Sequence, residues 1–131
     1  VLDTNINIGS LETSGIDVNI AYSGVELGAA GSLSFNLQGT YLNDLITDSG
    51  PGIEPYDCVG FFVGACGTPT PEWRHQFRIG YQTPFDLDVA LTWRYYDGVD
   101  AFRTSPANID ASFASQSYID LAGTYAFSEK V

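Results

Sequence analysis

The stretch from Glu72 to Tyr96, EWRHQFRIGYQTPFDLDVALTWRYY, constrains the fold more than any other part of the chain. Taken at alternate positions it separates into two sets. One holds Trp73, His75, Phe77, Ile79, Tyr81, Leu87, Val89, Leu91, Trp93 and Tyr95, and is apolar with aromatic ends. The other holds Arg74, Gln76, Arg78, Gly80, Gln82, Asp88, Ala90, Thr92, Arg94 and Tyr96, and is polar and arginine-bearing. A period of two sends successive side chains to opposite faces of a strand. The stretch therefore predicts two strands meeting at QTPFD, where Pro84 presets a turn.

The same period runs through the rest of the chain, and a helical period does not emerge. A first strand is expected over Thr13 to Tyr22, with Ile16, Val18, Ile20 and Tyr22 on one side. Asn5 to Leu11 reads as its upper part or as a further strand. A second is expected over Ser32 to Asn43, and a last over Tyr118 to Phe127. The connections alternate: a short turn near GVELGAAGS, a long loop over Asp44 to Pro71, the tight QTPFD, and a long loop over Asp97 to Gln116. The expected fold is all-β, an antiparallel up-and-down meander with both long loops at one end, and residues 1–131 form one segment of it.

Within these strands the apolar set carries no Asp, Glu, Lys or Arg, and His75 is its one titratable group besides tyrosine. The charges Asp17, Arg74, Arg78, Asp88, Arg94 and Asp120 all fall on the opposite face. A soluble β-sandwich accounts for such a pattern, apolar side in and polar side out. Three features favour a lipid-facing surface instead. The alternation persists over about ten residues per strand, the length a membrane-spanning strand needs. Aromatics flank the stripe: Tyr22, Tyr81, Phe85, Tyr125 and Phe127 toward the short turns, Tyr41, Trp73, Trp93 and Tyr95 toward the long loops. Girdles of this kind, and short turns opposite long loops, mark outer-membrane barrels. Lipid supplies no hydrogen bonds, so spanning strands must pair at both edges and close, and even small barrels use about eight. The chain is accordingly expected to be a fragment, or to assemble from several copies. It opens on Val1 without an initiator Met or a signal-like segment, which favours an internal piece.

Composition narrows the partners. Sixteen acidic and five basic residues give a net charge of −11, the opposite of a nucleic-acid footprint. Cys58 and Cys66, in DCVGFFVGACGTP, lack the spacing and companions of a metal site. A disulfide closing a small surface loop is the preferred reading over two free thiols, and would place that loop in an oxidising compartment. No nucleophile elbow, HExxH or phosphate loop is present, so no enzymatic activity is expected.

NIGSLETSGIDVNIAY (Asn7 to Tyr22) resembles the barrel segment of TonB-dependent outer-membrane receptors, where an N-x-G stretch leads to S-G-I/V-D/E and an alternating strand. SFNLQGTYLNDL, YDCVGFFVGACGTPTPEWRHQFRIGY, LTWRYYDG and YIDLAGTYAFSEKV follow in an order similar to later strands of that family. The resemblance covers essentially the whole chain. It implies a place in the C-terminal part of a barrel of about twenty-two strands closed by a plug domain. It also implies a Gram-negative outer membrane, long loops extracellular and short turns periplasmic. The implied activity is TonB-energised uptake of a scarce ligand such as a ferric siderophore, haem, cobalamin or oligosaccharide. Partners would be outer-membrane lipid, the remaining barrel and plug, and the TonB complex acting through that plug. No cofactor is expected.

Two readings accompany each candidate residue. Arg74, Arg78 and Arg94 would face a lumen, to attract an anionic ligand or contact the plug, or to pair with Asp17, Asp88 or Asp120. Phe61 and Phe62, between the cysteines, would touch a ligand or pack beneath neighbouring loops. Tyr22, Tyr41, Trp73, Tyr81, Trp93, Tyr95, Tyr125 and Phe127 are expected to anchor the two membrane interfaces. His75, a lone histidine without a partner motif, is a weak candidate for haem. The loop acids Asp44, Asp48, Glu54, Asp57, Asp97, Asp100 and Asp110 would solvate the loops or take divalent cations. The competing reading of the whole chain is a soluble extracellular β-sandwich binding module, with carbohydrate as a ligand class and Trp73 or Trp93 in its site.

Overall fold

The computed structural model describes residues 9–102 and 111–127. Apart from one 3₁₀ turn, Gly28–Ala30, its regular structure is strand. No described helix is long and apolar enough to cross a membrane, which leaves open any crossing by strands. Five strands form the main path of a six-stranded antiparallel sheet: β1 (Ser10–Glu26), β2 (Ser32–Asp48), β5 (Trp73–Gln82), β6 (Leu87–Tyr96) and β9 (Gln116–Tyr125). β3 (Tyr56–Asp57) pairs with β2 through Ile46↔Asp57 and Thr47↔Tyr56. The order β1-β2-β5-β6-β9 is the order in sequence, so the expected meander is present. The sheet is open, with β1 and β9 as its edges.

β1 and β2 are each 17 residues long, several more than the alternation alone predicts. The last strand begins at Gln116 and ends at Tyr125, two residues earlier at each end than expected. Of the stretch Asn5 to Leu11, expected as a further strand or the upper part of the first, Ser10 and Leu11 open β1, and residues 1–8 lie outside the described residues. Four short strands fall inside what read as loops. Besides β3 they are β4 (Phe61–Phe62), β7 (Val99–Ala101) and β8 (Ser112–Phe113), the last three forming a small sheet. β4 runs parallel to β7, with Phe61↔Asp100 and Phe62↔Ala101, and β8 runs antiparallel to β7.

The chain divides into two compact units. The loop unit comprises Val1–Ile16, Tyr41–Glu72 and Gly98–Ala114, and the sheet unit Asp17–Thr40, Trp73–Asp97 and Ser115–Val131. Among the described residues the buried apolar side chains are Cys58, Phe62, Val99 and Ala101, every one in the loop unit. The Cys58–Cys66 disulfide is formed. Phe62 packs with Val99 and Ala101, and its ring lies 4.5 Å from that of Phe113.

In the sheet unit the registers align the apolar residues into continuous rows. Phe77, Trp93 and Ile119 form one row, and Ile79, Leu91 and Leu121 the next. These rows are covered unevenly: Phe77 and Ile79 are half-buried, while Leu91 is 37% exposed, Ile119 71% and Leu121 74%. The turn between β5 and β6 is tied by Thr83, whose N–H donates to the Leu87 carbonyl and whose Oγ1 accepts from the N–H groups of Phe85 and Leu87. In the turn between β1 and β2 the Leu27 N–H donates to the Gly31 carbonyl at 2.8 Å, and the Tyr81 hydroxyl donates to the Ala30 carbonyl at 2.6 Å.

Candidate functional site

The polar face of the sheet unit follows directly from the strand register. Because β5 and β6 pair Gln76 with Arg94 and Arg78 with Thr92, the arginines of both strands emerge on one side. β9 adds Tyr118 opposite Arg94 and Asp120 opposite Thr92. Arg94 reaches diagonally to Asp120: its Nε and Nη2 both donate to Oδ2, at 3.0 and 2.7 Å. Its guanidinium also lies 5.8 Å from the centre of the Tyr118 ring. Both partners are substantially exposed, so the pair contributes about 0–1 kcal/mol.

Arg74 and Arg78 differ from Arg94. Among the described residues neither has an ion pair or hydrogen bond from its side chain. Arg74 lines an open cleft of about 530 Å³ with Asp17, Gln38, Gln76, Arg94 and Tyr96. Asp17 is held by the Thr40 hydroxyl, which donates to its Oδ1 at 2.8 Å. Arg78 and Asp88 share a second cleft, of about 360 Å³, without forming an ion pair. Of the three expected carboxylate partners, Asp120 is thus the one engaged by an arginine. The described residues contain three cationic side chains, and all three stand on this face. A polar strip with two uncommitted guanidinium groups can hold an anion, because guanidinium donors match carboxylate and phosphate oxygens two at a time.

The apolar face carries an aromatic cluster where β5 starts and β6 ends. The Trp73 indole N–H donates to His75 Nδ1 at 2.8 Å. His75 also meets Trp93 edge-on at 4.6 Å and stacks on Tyr95 at 5.4 Å. An accepting Nδ1 places the proton of the neutral ring on Nε2. His75 is therefore a member of an aromatic cluster rather than an isolated imidazole. The Trp93 N–H donates to Ser117 Oγ at 2.7 Å, and the Tyr95 hydroxyl to Asp97. Gly39 accommodates the Trp73 ring: a Cβ there would stand 2.5 Å from the indole. At the other aromatic end Tyr125 and Phe127 meet edge-on at 4.9 Å, and Tyr22 and Phe85 are exposed. Tyr41 belongs to the loop unit, where its hydroxyl donates to Glu72 at 2.8 Å.

In the loop unit Phe62 is 5% exposed and packs in the core with Val99 and Ala101. Phe61 is half-buried, edge-on to Phe102 at 5.5 Å. Several loop acids build turns. Asp57 Oδ1 accepts from the N–H groups of Leu45 and Val59, and Asp48 Oδ1 from that of Gly50. Asp44 accepts from Ser14 and Asn43. Among the described residues no three His, Cys, Asp or Glu side chains come together as a metal site, and Asp110 lies outside them. Sequence reasoning missed these turn-building roles. An Asp two residues before Val59 or Gly50 was the available signal, because Asp side chains bond backbone two positions on. The chain matches no protein-family model, no curated protein and no solved structure.

Proposed function

We propose that this chain is a lipid-facing segment of the β-barrel of an outer-membrane receptor of the TonB-dependent kind. Its apolar face would meet acyl chains and its polar face would line a lumen. The observation that carries the reading is the uncovered face itself. Six apolar residues stand in register over β5, β6 and β9, free of charge; Leu91, Trp93, Ile119 and Leu121 are exposed, and Phe77 and Ile79 are half-buried. In water such a surface favours burial by about 25 cal/mol per Å². A lipid medium removes that demand, provided the backbone is paired within the sheet. The aromatic cluster of Trp73, His75, Trp93 and Tyr95 at one end, with Tyr125 and Phe127 at the other, supports the same reading.

In such a receptor Arg74 and Arg78 would offer donors to an anionic group of the passing ligand or to acidic plug residues, while Arg94 would stay engaged by Asp120. The transported ligand would be a ferric siderophore, haem, cobalamin or oligosaccharide. The indoles Trp73 and Trp93 are the only two in the chain, so their fluorescence reports this face alone. In bilayers carrying brominated lipids, Trp93 emission in a Trp73→Phe variant is expected to be quenched, most strongly by bromines near the headgroups. Quenching by aqueous iodide with none by bromolipid would rule the reading out.

A further inference from the structure

We propose that the loop unit holds a binding site for a small organic cation with an apolar body, such as an alkyl- or arylammonium ion. The site is a cleft of about 590 Å³ beside the disulfide, walled by Ile53, Glu54, Tyr56, Gly64, Ala65 and Phe102. Its volume lies within the range of small-ligand pockets, roughly 300–1,000 Å³. The site rests on the loop unit alone and goes beyond the receptor reading, which names no ligand for these loops.

Each wall is fixed by local chemistry. Tyr56 is held in β3 opposite Thr47. The segment before it turns at Gly50, whose carbonyl accepts from the Ile53 N–H at 3.3 Å and whose N–H is capped by Asp48. Gly64 and Ala65 lie in the turn that the Val63 N–H closes onto the Gly67 carbonyl at 2.9 Å, beside the Cys58–Cys66 bridge. Phe102 is tied by its N–H to the Phe62 carbonyl at 2.9 Å. The cleft is thus formed in advance of any ligand.

Its lining selects charge. The Tyr56 and Phe102 rings stand 5.3 Å apart and tilted by 41°, a paired aromatic wall. The π faces of such rings attract cations. Glu54 adds a carboxylate that takes no hydrogen bond from any described residue. Ile53, Ala65 and Gly64 supply the apolar part. The field around the cleft has the same sign. Over its sequence the loop unit carries nine acidic residues and one basic one, Arg103, which lies outside the described residues. An anion would meet this field unfavourably, and a neutral apolar molecule would gain nothing from Glu54.

The test is a titration of benzyltrimethylammonium into the full chain in a maltoside detergent, which carries no cationic headgroup of its own. It is followed by amide NMR on a sample whose Phe62, Val99 and Ala101 amides resist exchange. Shifts are expected to cluster at Ile53, Glu54, Tyr56, Ala65 and Phe102. Glu54→Gln should weaken binding about fivefold, the scale of an exposed charge pair. Tyr56→Leu, which keeps an apolar side chain of similar reach, should weaken it about threefold. Benzenesulfonate and the neutral 2,2-dimethylpropylbenzene should bind more weakly than the cation. Equal binding of the neutral compound, shifts elsewhere, no binding, or indifference to both substitutions would overturn the proposal.

Discussion

Phe62 in the loop unit is 5% exposed, whereas Leu121 in the sheet unit is 74% exposed. The loop unit has few regular strands, yet it encloses a small core, closed by a disulfide and by the parallel pairing of β4 with β7. The sheet unit has long, regular ladders, and its apolar rows are half-buried on β5 and exposed on β6 and β9. Regularity and burial are therefore separate properties in this chain. A ladder satisfies the backbone's hydrogen bonds wherever it is placed. Stabilisation of apolar side chains depends on what surrounds them. The loop unit carries its own apolar interior, whereas in the proposed reading the sheet unit would take its apolar environment from lipid.

That contrast can be broken by substitution. Phe62→Ala should cost the loop unit about 3–5 kcal/mol, as for other buried aromatic truncations. Amide exchange should accelerate at Val99 and Ala101, and the β5–β6 ladder should keep its protection. Equal loss of protection in both would show the two units to be one cooperative body.

Leu91→Arg probes the other side. With Leu91 in the mid-plane of a bilayer, the guanidinium should cost about 2–4 kcal/mol in reversible folding into lipid. At an ordinary water-exposed site the same change would fall within about 0.5 kcal/mol. The sharpest version compares Leu91→Arg with Thr92→Arg, its neighbour on the polar face, which should be far better tolerated.

The smallest effect expected is from Asp120→Ala, about 0–1 kcal/mol because the Arg94 pair is exposed. Urea titrations at low and high salt would measure it, and the difference should shrink with salt. A loss of several kcal/mol would mean that this pair is enclosed from water in the assembled protein.

The main strands were legible in the sequence because a period of two over about ten residues is a strong local signal. Trp73 to Tyr81 and Leu87 to Tyr95 lie where alternation puts them. The short strands were not legible, since two or three residues carry no period. Phe62 shows why: its burial depends on Ala101, 39 residues further on, and on Phe113 beyond that. The polar face was legible as a set of charges, but the choice of partner was not. Arg94 selects Asp120 over Asp17 and Asp88 through the β6–β9 register, which only the folded pairing fixes. His75 read as a lone histidine because its ring partners Trp93 and Tyr95 come from the neighbouring strand, although Trp73, two residues before it on the same face, was legible.

If the proposed reading holds, the apolar face of the sheet unit requires a medium other than water. The direct measurement is the mass and hydrodynamic behaviour of the purified chain with detergent present and after its removal. A folded species carrying a belt of bound detergent is expected, which aggregates or loses the β5–β6 ladder when the detergent is withdrawn. A monodisperse 14.2 kDa particle in plain buffer, unfolding cooperatively with the ladder intact, would contradict it.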